Sequence, residues 1–322
     1  MARIFLTRRL PEEGMKLLES HEMEVYEGDA PPSKEEIIDG VRGKDVLICL
    51  LTDKIDAEVM DASPRLKLIA NYAVGVDNID IQEATRRGIA VTNTPGVLTE
   101  TVADLTWALL MAIARRIVEG DEFTRAGKFK GWAPLLMLGG DVYGKTLGII
   151  GAGRIGQAVA RRAMGFDMKV LYYSRERKEG MEKMGAKYVD LHTLLKESDF
   201  VSLHVPLTPE TYHVIGEKEL KEMKSSAYLI NTARGKCIDE RALVRALKEG
   251  WIRGAALDVF ENEPEITPEL KELKNVVITP HIGSASYETR SKMAVMVAEN
   301  VLAALEGKMP PNCLNPEALS KK

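Results

Sequence analysis

Residues 146–156 read TLGIIGAGRIG, a strand-like apolar run followed at once by a glycine-rich turn. The turn, Gly151-Ala152-Gly153-Arg154-Ile155-Gly156, has the spacing G-x-G-x-x-G, and a helical pattern begins at Ile155. The first glycine permits the tight bend, the second lets backbone N–H groups approach a pyrophosphate, and the third allows close packing of helix on strand. The helix N-terminus adds partial positive charge. The stretch therefore predicts a dinucleotide-binding turn, and the alternative is an ordinary tight turn without a ligand.

Short apolar runs alternate with longer amphipathic stretches along the whole chain. This alternation predicts an α/β fold built on parallel sheets. Buried strands are predicted at residues 46–50, 66–70, 146–150, 169–173, 200–203, 228–230, 254–257 and 276–278. Helices are predicted at residues 34–41, 101–120, 155–164, 240–248 and 287–306.

A chain of 322 residues is long for one compact core and comfortable for two. The glycine-rich turn lies near the middle, so a complete doubly wound domain needs most of the chain that follows it. The turn cluster at residues 92–96, TNTPG, marks the first crossing between domains. We predict two doubly wound, parallel-sheet, Rossmann-like domains with a cleft between them. Residues 96–285 form the dinucleotide-binding domain, and residues 1–95 plus 286–322 form the substrate domain.

The second predicted strand of the dinucleotide domain indicates which dinucleotide is bound. Enzymes that use NAD usually end this strand with a carboxylate that binds the ribose 2′-hydroxyl. Here the strand leads into Ser174-Arg175-Glu176-Arg177-Lys178, so a hydroxyl replaces the carboxylate and basic groups follow. Guanidinium groups suit a 2′-phosphate by charge and by geometry. We therefore predict a preference for NADP(H), with NAD(H) possible, and the alternative is a solvated basic turn.

Polar side chains follow three strands of the dinucleotide domain, where a parallel sheet collects its ligands. Arg234 follows one of these strands, Asp258 and Glu263 follow the next, and His281 follows the last. Reduction of a keto acid needs a cation for the carboxylate and a proton donor for the developing alkoxide. Arginine suits the first task, histidine suits the second, and a neighbouring carboxylate favours the charged imidazole. The set predicts hydride transfer to a small 2-keto acid.

Composition excludes several other classes of protein. The formal net charge is -4 and the charges are interspersed, which argues against a nucleic-acid or membrane partner. Apolar runs are too short for a membrane span or a secretory signal, so a cytoplasmic protein is expected. Three scattered cysteines form neither a disulfide framework nor a metal site, and no metal is predicted. Glutamine occurs twice while Lys and Glu are plentiful, a balance typical of thermophiles.

Five stretches closely resemble the signatures of the D-isomer-specific 2-hydroxyacid dehydrogenase family. They are ANYAVGVDNID (70–80), NTPGVLT (93–99), NTARG (231–235), LDVFENEP (257–264) and TPHIGSA (279–285). The resemblance covers nearly the whole chain and keeps the order of the motifs. Residues 172–178 and 281–286 are most similar to the archaeal branch that reduces glyoxylate and hydroxypyruvate.

The resemblance implies roles for individual residues. Arg234 would bind the substrate carboxylate and keto oxygen, His281 would be the acid in reduction, and Glu263 would pair with His281. Asp258 and the backbone of residues 232–233 would hold the nicotinamide carboxamide. The implied cofactor-binding residues are Gly151, Gly153, Arg154, Ile155, Gly156, Ser174, Arg175, Arg177, Val205, Pro206, Thr211, Thr232, Ala233, Arg234, Asp258, His281 and Gly283. The implied substrate-binding residues are Leu51, Thr52, Val74, Gly75, Val76, Arg234 and His281. The resemblance also implies a homodimer formed through the cofactor domain.

Two other functions stay open at this stage. One is a related dehydrogenase, such as an NAD-dependent 3-phosphoglycerate dehydrogenase, against which Ser174 and Arg175 argue. The other is a dinucleotide-sensing binding protein on the same scaffold, which can keep the Arg–Glu–His set without catalysing a reaction. Turnover of any keto acid would separate an enzyme from a sensor.

Overall fold

The computed structural model describes residues 1–321, with side chains through residue 319. The strands of this part of the chain are β1 (Arg3–Leu6), β2 (Glu22–Val25), β3 (Val46–Cys49), β4 (Leu68–Asn71), β5 (Ala90–Thr92), β6 (Thr146–Ile150), β7 (Lys169–Tyr173), β8 (Lys187–Tyr188), β9 (Phe200–Leu203), β10 (Tyr228–Asn231), β11 (Gly254–Leu257) and β12 (Val276–Ile278). The α-helices are α1 (Glu12–Leu17), α2 (Lys34–Val41), α3 (Ala57–Asp61), α4 (Ile81–Arg86), α5 (Thr99–Ala114), α6 (Ile117–Arg125), α7 (Arg154–Ala163), α8 (Glu179–Lys183), α9 (Leu191–Glu197), α10 (Glu217–Glu222), α11 (Glu240–Glu249), α12 (Pro268–Glu272) and α13 (Tyr287–Leu305). Short 3-10 helices cover Met164–Phe166, Gly235–Cys237 and Pro316–Lys321.

The chain divides into two compact units, each built on its own parallel sheet. The first unit comprises Met1–Leu98 and the chain from Ser284 onward, and its sheet has the order β2-β1-β3-β4-β5. The second unit comprises Thr99–Gly283, with the order β12-β11-β10-β9-β6-β7-β8. Helices flank both sheets, so the predicted α/β class with two Rossmann-like sheets is confirmed.

Both faces of the seven-stranded sheet are buried, as parallel pairing requires. In β10, Leu229 packs into one apolar cluster, whereas Tyr228 and Ile230 pack into the cluster on the opposite face. In β6, Ile150 and Ile149 divide between the same two clusters. Successive side chains of a strand point to opposite faces, so two covered faces produce the continuous apolar runs seen in the sequence. The faces of the sheet are therefore mainly apolar, with Ser202 and Asn231 as buried polar residues of the strands.

The last part of the chain completes the first unit. Helix α13 packs against α1, where a Cβ at Gly14 would lie 2.6 Å from the Cβ of Ala294, so only glycine permits this close approach. Beyond α13, Cys313 forms an antiparallel bridge to Thr92 at the end of β5. Residues near both ends of the sequence therefore share one core.

The prediction of one helix over residues 101–120 is wrong. The helix ends at Ala114, and α6 begins only at Ile117. Between them Arg116 adopts a left-handed φ of 54°, and its guanidinium donates to Glu119 at 2.7 and 2.9 Å. The carbonyl of Ala114 accepts instead from the N–H of Gly140 at 2.8 Å. The amphipathic pattern continues across the break, which is why the sequence suggests a single helix.

The predicted strands lie where expected, with bounds that differ by at most two residues. Helix α7 starts at Arg154 rather than at the predicted Ile155. Strands β1, β2, β5 and β8 were not predicted from the sequence. Strands β2 and β8 are short and contain exposed charged residues such as Glu22 and Lys187, so they lack the apolar run by which the other strands are recognised.

Asn315 joins the segment after α13 to the rest of the first unit by hydrogen bonds. Its side chain is fully buried, accepts from the N–H of Val91 at 2.7 Å, and donates to the Thr85 hydroxyl and the Ile89 carbonyl at 2.9 Å. We expect Asn315→Ala to lower the free energy of unfolding by about 1–3 kcal/mol, because it leaves these buried groups without partners. Urea unfolding followed by circular dichroism measures the loss. Glu317→Ala, two residues further on and exposed, is the control, and equal unfolding midpoints for both variants would contradict this account.

Candidate active site

The glycine-rich turn between β6 and α7 is shaped to receive a ligand. Gly151 has a φ of 98°, and a Cβ there would lie 2.6 Å from the His204 carbonyl, so this position requires glycine. At Gly153, the N-cap of α7, a Cβ would meet nothing within 4 Å among the described residues, and no side chain in this part of the chain caps the helix. A Cβ at Gly156 would overlap the Gly151 carbonyl. These residues fit a dinucleotide pyrophosphate, with open space and uncapped N–H groups at the helix start.

Arg154 and Ile155, both predicted cofactor residues, form the first turn of α7. The next predicted group follows β7, where the Ser174 hydroxyl donates to the Glu176 carbonyl. Arg175 is exposed. Arg177 lies over the ring of Tyr188, 5.3 Å from its centroid, and pairs with Glu182 at 3.3 Å. Arg175 differs from Arg177 in this respect. In the contacts recorded for residues 1–321, its guanidinium does not bind neighbours of its own loop.

The segment after β9 forms a closed loop. The hydroxyl of Thr211 donates to the carbonyl of Pro206 at 2.6 Å and accepts from the N–H of Thr208 at 2.8 Å. Val205 lies at the start of this loop and is partly buried. Burial lowers the pKa of His204 to about 3, so this histidine is neutral at physiological pH and is not a proton donor. That finding agrees with a structural role for His204.

The turn after β10 presents Arg234, and Asn231 shapes it. The Asn231 side chain donates to the Arg234 carbonyl at 2.9 Å and accepts from the Ala233 N–H at 3.0 Å. Thr232 is buried, and its hydroxyl lies 2.8 Å from that of Thr106 on α5. The backbone of this turn is thus fixed by buried side chains. The guanidinium of Arg234 contacts its own loop through a bond of 2.8 Å to the Ala233 carbonyl.

Asp258, which follows β11, organises the turn that contains His281. Its carboxylate is 1% exposed and accepts from the Thr279 hydroxyl at 2.6 Å and from the N–H groups of Ile282 and Gly283 at 2.8 Å. Burial raises the pKa of Asp258, and these donors offset the rise only in part. His281 itself has a left-handed φ of 54°. The carboxylate therefore holds a turn whose central residue is strained.

Glu263 and His281 form a direct pair. Nδ1 of His281 lies 2.8 Å from a carboxylate oxygen of Glu263, and each side chain is 26% exposed. The other Glu263 oxygen accepts from the Phe260 N–H at 2.9 Å. Partial burial raises the pKa of Glu263, but the hydrogen bond and charge of His281, the Phe260 N–H and the charge of Arg234 outweigh it, so the net pKa lies below its usual value. Glu263 is therefore a carboxylate near neutral pH, and its contact with His281 uses Nδ1 and leaves Nε2 out of the pair.

The predicted substrate residues lie on two loops of the first unit. Leu51 and Thr52 follow β3, while the segment Val74-Gly75-Val76 follows β4. Asn78 joins the loops by donating to the carbonyls of Leu50 and Asp53 at 3.0 Å. Within the second loop, Asn71 donates to the Gly75 carbonyl at 2.8 Å.

Asp53 fixes the first of these loops. It is 2% exposed and accepts from the Leu50 N–H at 2.7 Å and from the Thr7 hydroxyl at 2.5 Å. Burial raises its pKa, and the hydrogen bonds from Thr7 and Leu50 offset the rise in part. Asp53, Asn71 and Asn78 were not predicted from the sequence. An Asp or Asn at the end of an apolar strand, or in the loop that follows it, is the signal that could have found them.

The two groups of candidate residues belong to different units. Arg234, Glu263 and His281 lie on adjacent loops of the second unit, and the pair of Glu263 with His281 is direct. The loops at residues 51–52 and 74–76 lie together in the first unit. The cleft that would unite both groups stays a prediction.

Within residues 1–321, every helix is too short or too polar to cross a bilayer. The same residues contain no group of three or more His, Cys, Asp or Glu side chains arranged to hold a metal ion.

Comparison with known proteins identifies relatives over the full length of the chain. Residues 107–283 match the family model described as D-isomer specific 2-hydroxyacid dehydrogenase, NAD binding domain. The chain is 60% identical to the glyoxylate reductase of Korarchaeum cryptofilum, with 98% of this chain and 97% of that protein covered. A crystal structure of a Thermus thermophilus protein superimposes with a TM-score of 0.92 at 50% identity, covering 97% of this chain and 99% of that one. The NADPH-dependent glyoxylate/hydroxypyruvate reductase of Sinorhizobium meliloti, in complex with citrate, gives 0.86 at 33% identity and 99% coverage of both chains.

Gly153 offers a test of the turn that leaves the fold intact. A methyl group there meets open space in the protein, so we expect Gly153→Ala to keep the thermal stability of the parent. It should weaken dinucleotide binding by about tenfold or more, because the methyl occupies the path by which the pyrophosphate approaches the backbone. Calorimetric titration with NADPH measures this effect.

Gly165→Ala is the matched control, because a Cβ at Gly165 also meets nothing within 4 Å in the described chain and the residue lies beyond the far end of α7. Equal dinucleotide affinity of the two variants would show that the turn at Gly153 is not the pyrophosphate site.

Proposed function

Because this chain belongs to the family of D-isomer specific 2-hydroxyacid dehydrogenases, we propose that it reduces glyoxylate, and also hydroxypyruvate, with NADPH. It is an oxidoreductase that uses a nicotinamide dinucleotide. The observation on which the proposal rests is the 2.8 Å contact between Glu263 and Nδ1 of His281, beside the charge of Arg234. An acid with a fixed orientation next to a cation is what reduction of a keto acid demands.

The proposed mechanism divides the reaction among three side chains. Arg234 binds the substrate carboxylate and polarises the keto group by its charge. A reduced nicotinamide, held on the side of Asp258, Thr232 and Ala233, would supply the hydride. Nε2–H of His281 donates its proton to the oxygen on which negative charge develops, and Glu263 stabilises the imidazolium through Nδ1–H. In the oxidative direction His281 accepts the proton instead.

We assign the supporting roles as follows. The unit containing the glycine-rich turn binds the dinucleotide, with Asp258, Thr232 and Ala233 on the nicotinamide side and the loop at residues 205–211 on the adenosine side. The other unit contributes the turn at residues 74–76 and the loop at residues 51–52 to the substrate. We propose that the dinucleotide-binding domain comprises residues 96–285 and that the substrate domain comprises residues 1–95 plus 286–322. Glyoxylate is favoured because full-length relatives at 54–60% identity are glyoxylate reductases.

NADP(H) is our proposed cofactor and NAD(H) a weaker one. Ser174 offers a hydroxyl where a carboxylate would repel a 2′-phosphate, and the exposed Arg175 follows it. The NADPH dependence of the Sinorhizobium meliloti relative supports this choice.

We also propose that the protein is a homodimer formed through the segment that follows α5. The segment exposes an unusual number of large apolar side chains, which favours burial against a second copy. Trp132 and Leu135 are 85% and 80% exposed, and Phe129, Leu138 and Ile117 are each more than half exposed.

Initial rates test the function and the cofactor together. We expect glyoxylate and hydroxypyruvate to be reduced faster with NADPH than with NADH, and Arg175→Gln to lower kcat/KM for NADPH by about tenfold while leaving NADH unaffected. Arg245→Gln, which changes an exposed arginine on α11, is the control.

Turnover with NADH alone would overturn the assignment of Ser174 and Arg175. Tight dinucleotide binding without turnover of any keto acid would favour the sensor, and a preference for 3-phosphohydroxypyruvate with NAD would favour the related dehydrogenase.

The Glu263–His281 pair predicts a defined pH dependence. Reduction requires protonated His281, and the Glu263 carboxylate favours that form. Glu263→Gln keeps a hydrogen-bond acceptor but removes the charge, so the pH at which the rate of reduction is half-maximal should fall by about one unit or more. The rate at pH 7.5 falls with it. Profiles of kcat/KM against pH measure the shift, and Glu265→Gln, an exposed neighbour, should leave the profile unchanged. An unchanged midpoint in Glu263→Gln would show that the pair does not set the acid.

A further inference from the structure

The loop that contains Glu263 packs directly against the turn that contains Arg234. At Gly235, a Cβ would overlap the carbonyl carbon and oxygen of Phe260, so the two backbones touch and only glycine fits. Phe260 in turn donates its N–H to Glu263 at 2.9 Å. The position of the segment 260–263 therefore determines where the Glu263 carboxylate lies.

Two glutamates fasten this segment to the start of α11 by reciprocal bonds. A carboxylate oxygen of Glu240 accepts from the Glu261 N–H at 2.6 Å, and a carboxylate oxygen of Glu261 accepts from the Glu240 N–H at 3.2 Å. The second oxygen of Glu240 accepts from the hydroxyl of Thr267. Glu240 is 2% exposed. A carboxylate is rarely buried to this extent unless its oxygens are used, and here they hold the loop on both sides of Glu263.

A histidine outside the Arg–Glu–His set completes the arrangement. Nε2 of the His213 ring lies 2.8 Å from the remaining carboxylate oxygen of Glu261. The backbone N–H of His213 donates to the Lys236 carbonyl at 2.9 Å. His213 has a left-handed φ of 50°, a conformation that costs energy in a side chain of this size. The residue thus bridges the segment after Arg234 and the loop before Glu263.

We propose that Glu240, with His213 acting through Glu261, is a positioning residue that fixes Glu263 against His281. Neither residue reaches the reacting atoms. Their effect is on the geometry of the pair, which must be held to within a fraction of an ångström for efficient proton transfer. The inference rests on the proposed function for its kinetic part and on the observed geometry for the rest.

The first test reads His281 without any turnover. The chain contains five histidines, so ring signals of labelled histidine can be resolved by NMR and assigned with a His281→Gln variant. The charged groups recorded beside His281 are Glu263 and Asp258. In the dinucleotide-free protein, Glu240→Ala should lower the pH at which the His281 ring titrates by about one unit, because the Glu263 carboxylate withdraws from Nδ1. Glu240→Gln, which retains one acceptor oxygen, should restore most of the shift.

The second test is kinetic and uses a variant at a less buried position. We expect His213→Ala to lower kcat for keto-acid reduction by about tenfold with an unchanged affinity for NADPH. The recorded side-chain contacts of His213 are with Glu261 and the Tyr212 ring, and they include neither the glycine-rich turn nor residues 205–211. His192→Ala is the matched control, since His192 pairs with Glu222 at the same 2.8 Å on the same unit and has no recorded hydrogen bond to Glu240, Glu261 or Glu263. It should leave kcat unchanged.

The outcomes separate this inference from the proposed function. If the titration of His281 is the same in Glu240→Ala as in the parent, while thermal stability falls, Glu240 serves the fold alone and the positioning role is wrong. If the titration shifts but the parent enzyme reduces no keto acid, the positioning role holds and the proposed substrate is wrong. Equal kcat values for His213→Ala and His192→Ala would remove His213 from the arrangement.

Discussion

Parallel pairing of the seven strands in the second unit is the constraint on which the candidate site depends. A parallel strand must be followed by a crossover before the next one begins, so every strand of the sheet ends at the same edge. Gly151, Ser174, Arg234 and Asp258 each follow a different strand at that edge. Because helices cover both faces with mainly apolar side chains, the candidate polar residues collect where the strands end. Residues more than a hundred positions apart, such as Gly151 and Asp258, therefore lie at one edge of the sheet.

Buried polar side chains hold the backbone of the loops at this edge. Asp258 supplies acceptors to the turn of His281, and Asn231 supplies both an acceptor and a donor to the turn of Arg234. In the first unit, Asn71 and Asn78 donate to carbonyls of the loops that follow the strands. In each case a side chain satisfies backbone groups that neither a strand nor a helix can reach. The turns that contain the candidate residues are thus held by the buried side chains of neighbouring residues.

The difference between motifs that are contiguous in sequence and contacts between distant segments explains which features the sequence could predict. The glycine-rich turn and the strand before it are contiguous, so their spacing alone indicates the local structure. Arg234, Glu263 and His281 could be predicted because each follows an apolar run and their chemistries are complementary. The break at Arg116 could not, because it depends on a hydrogen bond from Gly140, which is distant in sequence. Glu240 and His213 were missed for the same reason, since their partner Glu261 lies on another loop and neither residue belongs to a local motif.

The composition of the first unit has a consequence for how the protein is made. Helix α1 packs on α13, and the bridge between Thr92 and Cys313 joins segments separated by more than two hundred residues. The second unit is a single continuous stretch and has all of its strands once Gly283 has left the ribosome. The first unit, although its five strands are synthesised earlier, must wait for α13 before its core is covered. During translation its exposed apolar surface is thus shielded last, and the order of assembly runs opposite to the order of the sequence.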